Sequence, residues 1–252
     1  MDLAWFTGEL GAVAALTLIA VSAATSFLTA AAGIGGGVVL LAVMAVLMPA
    51  AALIPVHGVV QIGSNAGRVL IMLRAVQTGV LLPFCAGSLV GAALGGLTVV
   101  QLPPAVLKIG LAAFILFSIW GRTIAATGHF AVALTGAFSS FLTMFFGATG
   151  TFVSAMVKTL KLGRLEHVAT HAACMVAQHV IKVATFGLLG FAYGPYLGLV
   201  AAMIASGFAG TLLGKRFLLK LDDRTFHRVL AVVLSLLALR LFYEGVTLLL
   251  SG

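Results

Sequence analysis

Acidic side chains are almost missing from this chain, with six Asp and Glu in 252 residues, and all charged residues together make up only 8%. A soluble domain carries roughly 25% charged residues, so that class is excluded. With 62% hydrophobic residues and a mean hydropathy of +1.22, the composition is that of a polytopic helical membrane protein. The alternating ten-residue segments of an outer-membrane barrel are absent; the apolar runs are long and unbroken. Cysteine is reduced to Cys85 and Cys174, both inside predicted spans, which argues against a structural disulfide. Met1–Glu9 lacks the basic stretch of a cleaved signal peptide and reads as a mature N-terminus lying at the membrane interface. There is no Gly-x-Ser-x-Gly, no His-Glu-x-x-His and no aspartyl pair, so an intramembrane enzyme is not expected. No ATP-binding motif occurs either. Any transport must draw on a substrate gradient, the membrane potential or a coupled ion.

Apolar segments run at about 10–48, 50–73, 78–100 and 104–120, then again at 130–158, 166–189, 194–219 and 225–250. The first is interrupted by Gly33-Ile-Gly35-Gly36-Gly37. Glycine costs roughly 1 kcal/mol against alanine inside a helix, so four in five residues break it. In lipid the freed backbone groups need burial in protein or a watery cavity. The chain makes the same break twice. Ser26-Phe-Leu-Thr recurs unchanged at Ser140, followed by Gly147-Ala-Thr149-Gly150-Thr151, so the offset is 114 residues. At that offset His57 matches His171, Asn65 matches His179 and Arg68 matches Lys182. The reading is one transmembrane domain, 1–252, with a first repeat at 10–121 and a second at 129–250.

The placement of basic residues bears on topology. They follow segment 2 (Arg68, Arg74), segment 4 (Arg122), segment 5 (Lys158, Lys161, Arg164) and segment 7 (Lys215, Arg216, Lys220, Arg224, Arg228). The connections at Thr98–Pro104 and Gly190–Pro195 carry none. If the broken segments 1 and 5 cross fully, one basic loop falls outside. If they are re-entrant hairpins, every basic loop lies inside and each half has three crossings. The expected fold is therefore all-α, with two homologous four-segment halves arranged as inverted repeats, each opening on a glycine-broken helix.

His57, Gln61, Asn65 and Arg68 share one arc of an otherwise apolar helix, and His171, His179 and Lys182 form the matching stripe with Gln178 beside it. Polar groups inside a membrane helix face a bundle interior or a water-filled path. A half-helix starting at a break presents free N–H groups and a positive dipole end. The stretches after the breaks, Val38–Met48 and Phe152–Leu160, would aim such ends at the midplane, with hydroxyls from Thr149 and Thr151. Gly33, Gly35, Gly36, Gly37, Gly147 and Gly150 beside the two stripes make a candidate pocket for a small anion. The glycines at 87, 91 and 95, and the set Ser206, Gly210 and Gly214, instead have the spacing of close helix packing. One cluster supports an alternative: His167, His171, Cys174, Met175 and His179 on segment 6 would suit a transition metal, making the chain a metal permease.

The duplicated halves, the early Gly-x-Gly-Gly-Gly with Pro49 and Pro55 downstream, and the Gly-x3-Gly-x3-Gly-Gly run from Gly87 resemble the TauE/SafE family. The resemblance spans nearly the whole chain. It implies an inner-membrane permease of a bacterium or archaeon exporting a small sulfur-containing anion such as sulfite, sulfoacetate or a related organosulfonate. Thr149 and Thr151, standing where the first half has Gly35 and Gly37, depart from the first-half motif. The expected partners are that anion and the lipid bilayer, with a homodimer as a further expectation. No nucleic acid and no cofactor are expected.

Overall fold

A computed structural model describes residues 10–32, 35–99, 103–121, 127–217 and 223–251, with side chains omitted at 32, 217, 223–230, 233 and 251. The N-terminal stretch expected at the interface, Gly33, and the basic residues Arg122, Lys220, Arg224 and Arg228 lie outside what is described of backbone or side chain. Among the described residues the chain is all helical, with ten α-helices and no strand. In order they are α1 (Ala12–Ala32), α2 (Gly36–Leu47), α3 (Ala50–Ile71), α4 (Leu81–Val99), α5 (Pro104–Trp120), α6 (His129–Phe146), α7 (Gly150–Lys158), α8 (Arg164–Leu188), α9 (Leu197–Phe217) and α10 (Asp223–Ser251).

Long apolar runs become helices because a helix pairs its backbone groups within the segment and leaves none bare to lipid. Among the described residues four helices are long and apolar enough to cross a membrane: α1, α4 with the turn before it, α6, and α9 with the turn before it. Their outward positions carry bare apolar side chains such as Leu82, Leu97, Phe130 and Val13. Both expected breaks are present. Gly35 ends the first one at φ 107° and Gly147 opens the second at φ 74°. Both values lie in the left-handed region that glycine enters freely and other residues rarely do.

The helices are paired across the two halves by small residues. On α9, the Ser206 hydroxyl donates to the Ile19 carbonyl of α1 at 2.8 Å, and the Ser22 hydroxyl of α1 donates to the Met203 carbonyl at 2.7 Å. Further along, Gly210 lies on Ala23 and Gly214 on Phe27, so α1 and α9 run parallel. In the same way Gly87 lies on Ala133, Gly91 on Ala137 and Gly95 on Met144, so α4 and α6 run parallel. Lipid supplies no hydrophobic drive for helix association; backbones that approach this closely gain contact instead. The glycines expected to pack helices do so.

Two other pairings are antiparallel. Gly58 of α3 lies against Lys182 and Val183 of α8, while Met72 just past the end of α3 packs on Val168 and Ala169 near the start of α8. Lys108 of α5 donates to Glu244 of α10 at 2.7 Å, and Trp120 at the far end of α5 reaches Ser235 at 3.2 Å. One end of the bundle collects Ala31, Ile71, Arg164 and Lys215, because Arg164 donates to the Ala31 carbonyl and Lys215 to the Ile71 carbonyl. The short helices α2 and α7 fold inward: Gly36 touches Thr25 and Thr29 of α1, and Ser154 of α7 bonds His167 of α8 at 3.1 Å. The main apolar core lies around α2, where Leu40, Leu41 and Met44 are enclosed by α3, α5 and α10.

Candidate functional site

The polar stripe of α3 is buried and bonded to itself. His57 is fully buried, and its Nε2 lies 3.1 Å from the Gly37 carbonyl. A carbonyl only accepts, so the ring proton sits on Nε2. The Gln61 amide nitrogen is 3.2 Å from the same atom. It cannot donate to a nitrogen that already carries a proton, so the Gly37 bond decides the tautomer. Asn65 donates to the Gln61 carbonyl at 2.7 Å, and Arg68 Nη2 donates to Asn65 Oδ1 at 2.6 Å. The chain of bonds leaves Arg68 Nε and Nη1 buried without a protein partner among the described residues.

The stripe of α8 repeats the first bond with a slip of one residue. His171 Nε2 donates to the Gly150 carbonyl at 3.1 Å, whereas the 114-residue offset would have selected Thr151. Gln178 donates to Ser139 Oγ at 3.2 Å and to Thr149 Oγ1 at 3.1 Å. Lys182 donates to the Gly147 carbonyl at 3.4 Å. Across the two stripes the rings of His57 and His179 meet edge to face.

Between them lies a small cavity of about 40 Å³. One water needs about 10–15 Å³ on this measure, so the space holds about three waters or one small polyatomic ion. It is lined from the first half by Thr29, Gly35, Gly37 and Val38 around the first break and by His57, Gln61, Asn65 and Arg68 of α3. The second half contributes Ala148, Gly150 and Thr151 at the second break and His171, Met175 and His179 of α8. Neither α2 nor α7 has a side-chain N-cap, so their first N–H groups and positive dipole ends are left for whatever occupies this space. The Thr151 hydroxyl and the Nδ1 atoms of His57 and His179 are buried without partners among the described residues. No carboxylate lines the cavity.

Of the residues expected from sequence, Gly36, Gly147, Thr149, Gln178 and Lys182 stand behind this lining, while Gly33 is outside the described residues. Gly36 instead packs on Thr25 and Thr29. Thr29, Val38, Ala148 and Met175 line the cavity and were missed. Thr29 had a signal, since it closes the duplicated Ser-Phe-Leu-Thr; the other three had none.

The alternative metal site is corrected by the structure. Among the described residues no three His, Cys, Asp or Glu side chains come together as a ligand set. Of the five candidates on α8, His171, Met175 and His179 share the cavity lining, with His171 bonded to Gly150, while His167 bonds Ser154 and Cys174 is buried among Phe84, Val132 and Val153. Spacings of three and four place side chains on one broad face, but here that face meets three different neighbours.

A second, larger cavity of about 360 Å³ lies at the bundle end away from Ala31 and Arg164. It is mostly apolar, lined by Ala50, Ile54 and Pro55 at the start of α3, Met144 near the end of α6, and Phe186 and Leu189 of α8.

Comparison with curated proteins and with solved structures gave no match. A protein-family model described as "Sulfite exporter TauE/SafE" matches residues 18–241, which include both breaks, both polar stripes and both glycine ridges. A bundle with a small cation-lined cavity between two broken helices is what the chain presents, and by that match it belongs to the TauE/SafE sulfite exporter family.

Proposed function

We propose that the chain is a permease that moves a small sulfur-containing anion, such as sulfite, sulfoacetate or a related organosulfonate, across the inner membrane of a bacterium or archaeon. Its two halves, 10–121 and 129–250, act as inverted repeats around the cavity. The antiparallel courses of α3 against α8 and of α5 against α10 support that arrangement, as does the gathering of Arg164 and Lys215 at one end.

The observation that carries the reading is Arg68. The residue is 2% exposed and lines the cavity; among the described residues its guanidinium bonds Asn65 and leaves Nε and Nη1 unpaired. An ion taken out of water costs several kcal/mol unless it is paired, and among the described residues no carboxylate lines the cavity to pair it. A bound oxyanion supplies that pairing and accepts from Thr151 and the helix ends as well. His57 and His171 then hold the two breaks in place, and Gln61 and His179 border the ion. An anion moving outward gains about 2.3 kcal/mol per charge per 100 mV of potential negative inside, so export needs no chemical step.

The test is binding and flux with purified protein in liposomes, comparing sulfite, sulfoacetate, a simple carboxylate and divalent nickel. Saturable uptake of a sulfur oxyanion, lost with Arg68→Gln in a protein that still folds, is expected. Binding of nickel alone, or of no anion by well-folded protein, would sink the proposal.

A further inference from the structure

Three stretches of chain pass from the apolar vestibule to the polar cavity in the same order, and they meet midway at one side chain. On α3, Ile54 faces the vestibule and His57 and Gln61 the cavity, with Gly58 at the step between Ile54 and Gln61. Through the second break, Met144 faces the vestibule and Ala148 the cavity, with Gly147 between. On α8, Phe186 faces the vestibule and His179 the cavity, with Lys182 between. The three intermediate residues touch. A Cβ built on Gly58 would lie 2.7 Å from Lys182 Cε, and Lys182 Nζ reaches the Gly147 carbonyl at 3.4 Å.

Lys182 belongs to neither lining and is fully buried, so its ammonium does not snorkel to a surface. Its acceptor, the carbonyl of Gly147, caps the C-terminal end of α6, where the helix dipole is negative and a cation is held without a carboxylate. The Gly147 carbonyl also takes the Thr143 hydroxyl at 2.9 Å, so the seat is shared and the lysine bond is the longer of the two. A wall that only separated two cavities would need no charge, and a charge buried at membrane depth is expensive.

We propose that Lys182, lying in the notch left by Gly58, is the moving gate between cavity and vestibule, and that its ammonium leaves Gly147 to accompany the anion across this layer. The escort role rests on the anion-permease reading; the closing role does not.

The experiment separates the two. In a Cys85→Ala, Cys174→Ala background, single cysteines are placed at Phe186 and at Thr151 and labelled with a membrane-impermeant thiol reagent from the face that reaches Phe186. Fast labelling at Phe186→Cys and at least tenfold slower labelling at Thr151→Cys is expected. Adding Lys182→Ala, or Gly58→Ala to push the lysine aside, should speed the Thr151→Cys reaction at least tenfold. Equal rates at the two positions, or no change with either added substitution in folded protein, overturns the gate. With the native cysteines in place, Lys182→Met should keep sulfite affinity within threefold while flux falls at least tenfold. Parallel loss of both makes Lys182 an ordinary ligand and overturns the escort role. If the parent binds no oxyanion, the permease reading fails while the labelling result still decides the gate.

Discussion

The imidazoles of His57 and His179 meet across the join of α3 and α8 with ring centres 6.0 Å apart and planes at 85°. They are not each other's counterparts in the repeat, since His57 matches His171 and Asn65 matches His179. The cavity is therefore lopsided: one side carries Asn65 and Arg68 in a bonded chain, while the other presents His179, with its cation set back from the lining. Duplicated sequence has been turned into two different walls.

The Arg68 wall should dominate binding. A hydrogen bond to a charged group contributes about 1.5–3 kcal/mol, and each 1.4 kcal/mol is tenfold. Arg68→Gln is expected to weaken sulfite binding roughly 10- to 150-fold by calorimetry. Arg68→Lys should recover only part of it, because the planar fork of donors is lost. Affinity within threefold of the parent for Arg68→Gln would remove the guanidinium from the site.

The glycines of the breaks should separate into two classes. A side chain on Gly36 runs into the Thr25 carbonyl and the Thr29 hydroxyl, so Gly36→Ala should lower folded yield and Tm. A Cβ on Gly150 comes to 3.3 Å from His171 Nε2, a contact that a small shift relieves. Gly150→Ala should fold, yet bind the anion at least fivefold more weakly by crowding the cavity. The opposite pattern, with Gly36→Ala folding normally and losing only binding, would mean the contacts at the first break are wrongly assigned.

Much of this was legible because a membrane helix declares itself by length and hydropathy, and because the duplication doubles every signal. The eight apolar segments, both breaks and the ridge at Gly87, Gly91 and Gly95 follow from those two facts. What could not be read was which faces meet. Val38 and Met175 are ordinary apolar residues that reach the cavity only because α2 folds inward and α8 crosses it. Lys182 shares its repeat position with Arg68, but the one-residue slip at Gly150 and the turn at Gly147 set it back from the lining. Cys174 and His171 are neighbours on one helix, yet one meets an apolar cluster and the other a carbonyl, which is why the apparent metal cluster dissolves.

The packing ridges should tolerate nothing larger than they hold. On Gly91 a Cβ meets the Ala137 carbonyl, and on Gly210 the Ala23 carbonyl. Gly91→Val or Gly210→Val should cost at least the 1–3 kcal/mol of an overpacked core and give aggregated protein on size exclusion. Leu97→Ala, a change at a position that is 79% exposed, should leave the elution profile unchanged. Monodisperse Gly91→Val and Gly210→Val would show that these helices are not held by close approach.

Sidedness gives an independent check of the inverted arrangement. Single cysteines at Arg74 and at Lys161 should label from the same face of the membrane, and one at Tyr193 from the other. Labelling of Arg74→Cys and Lys161→Cys from opposite faces would make the halves parallel.

The parallel pairing of α1 with α9 also sets a schedule. The Ser206 hydroxyl finds the Ile19 carbonyl 187 residues earlier in the chain. At a synthesis rate of about 5–20 residues per second, α1 waits about 10–40 s before its partner is made. During that interval its row of small residues has nothing but lipid or the insertion machinery to lie against. The α4–α6 pair closes far sooner, while α1 still lacks α9. Assembly therefore has to return to α1 late, and a ribosome that stalls before α9 leaves the Ser22 to Phe27 face of α1 without the helix that covers it.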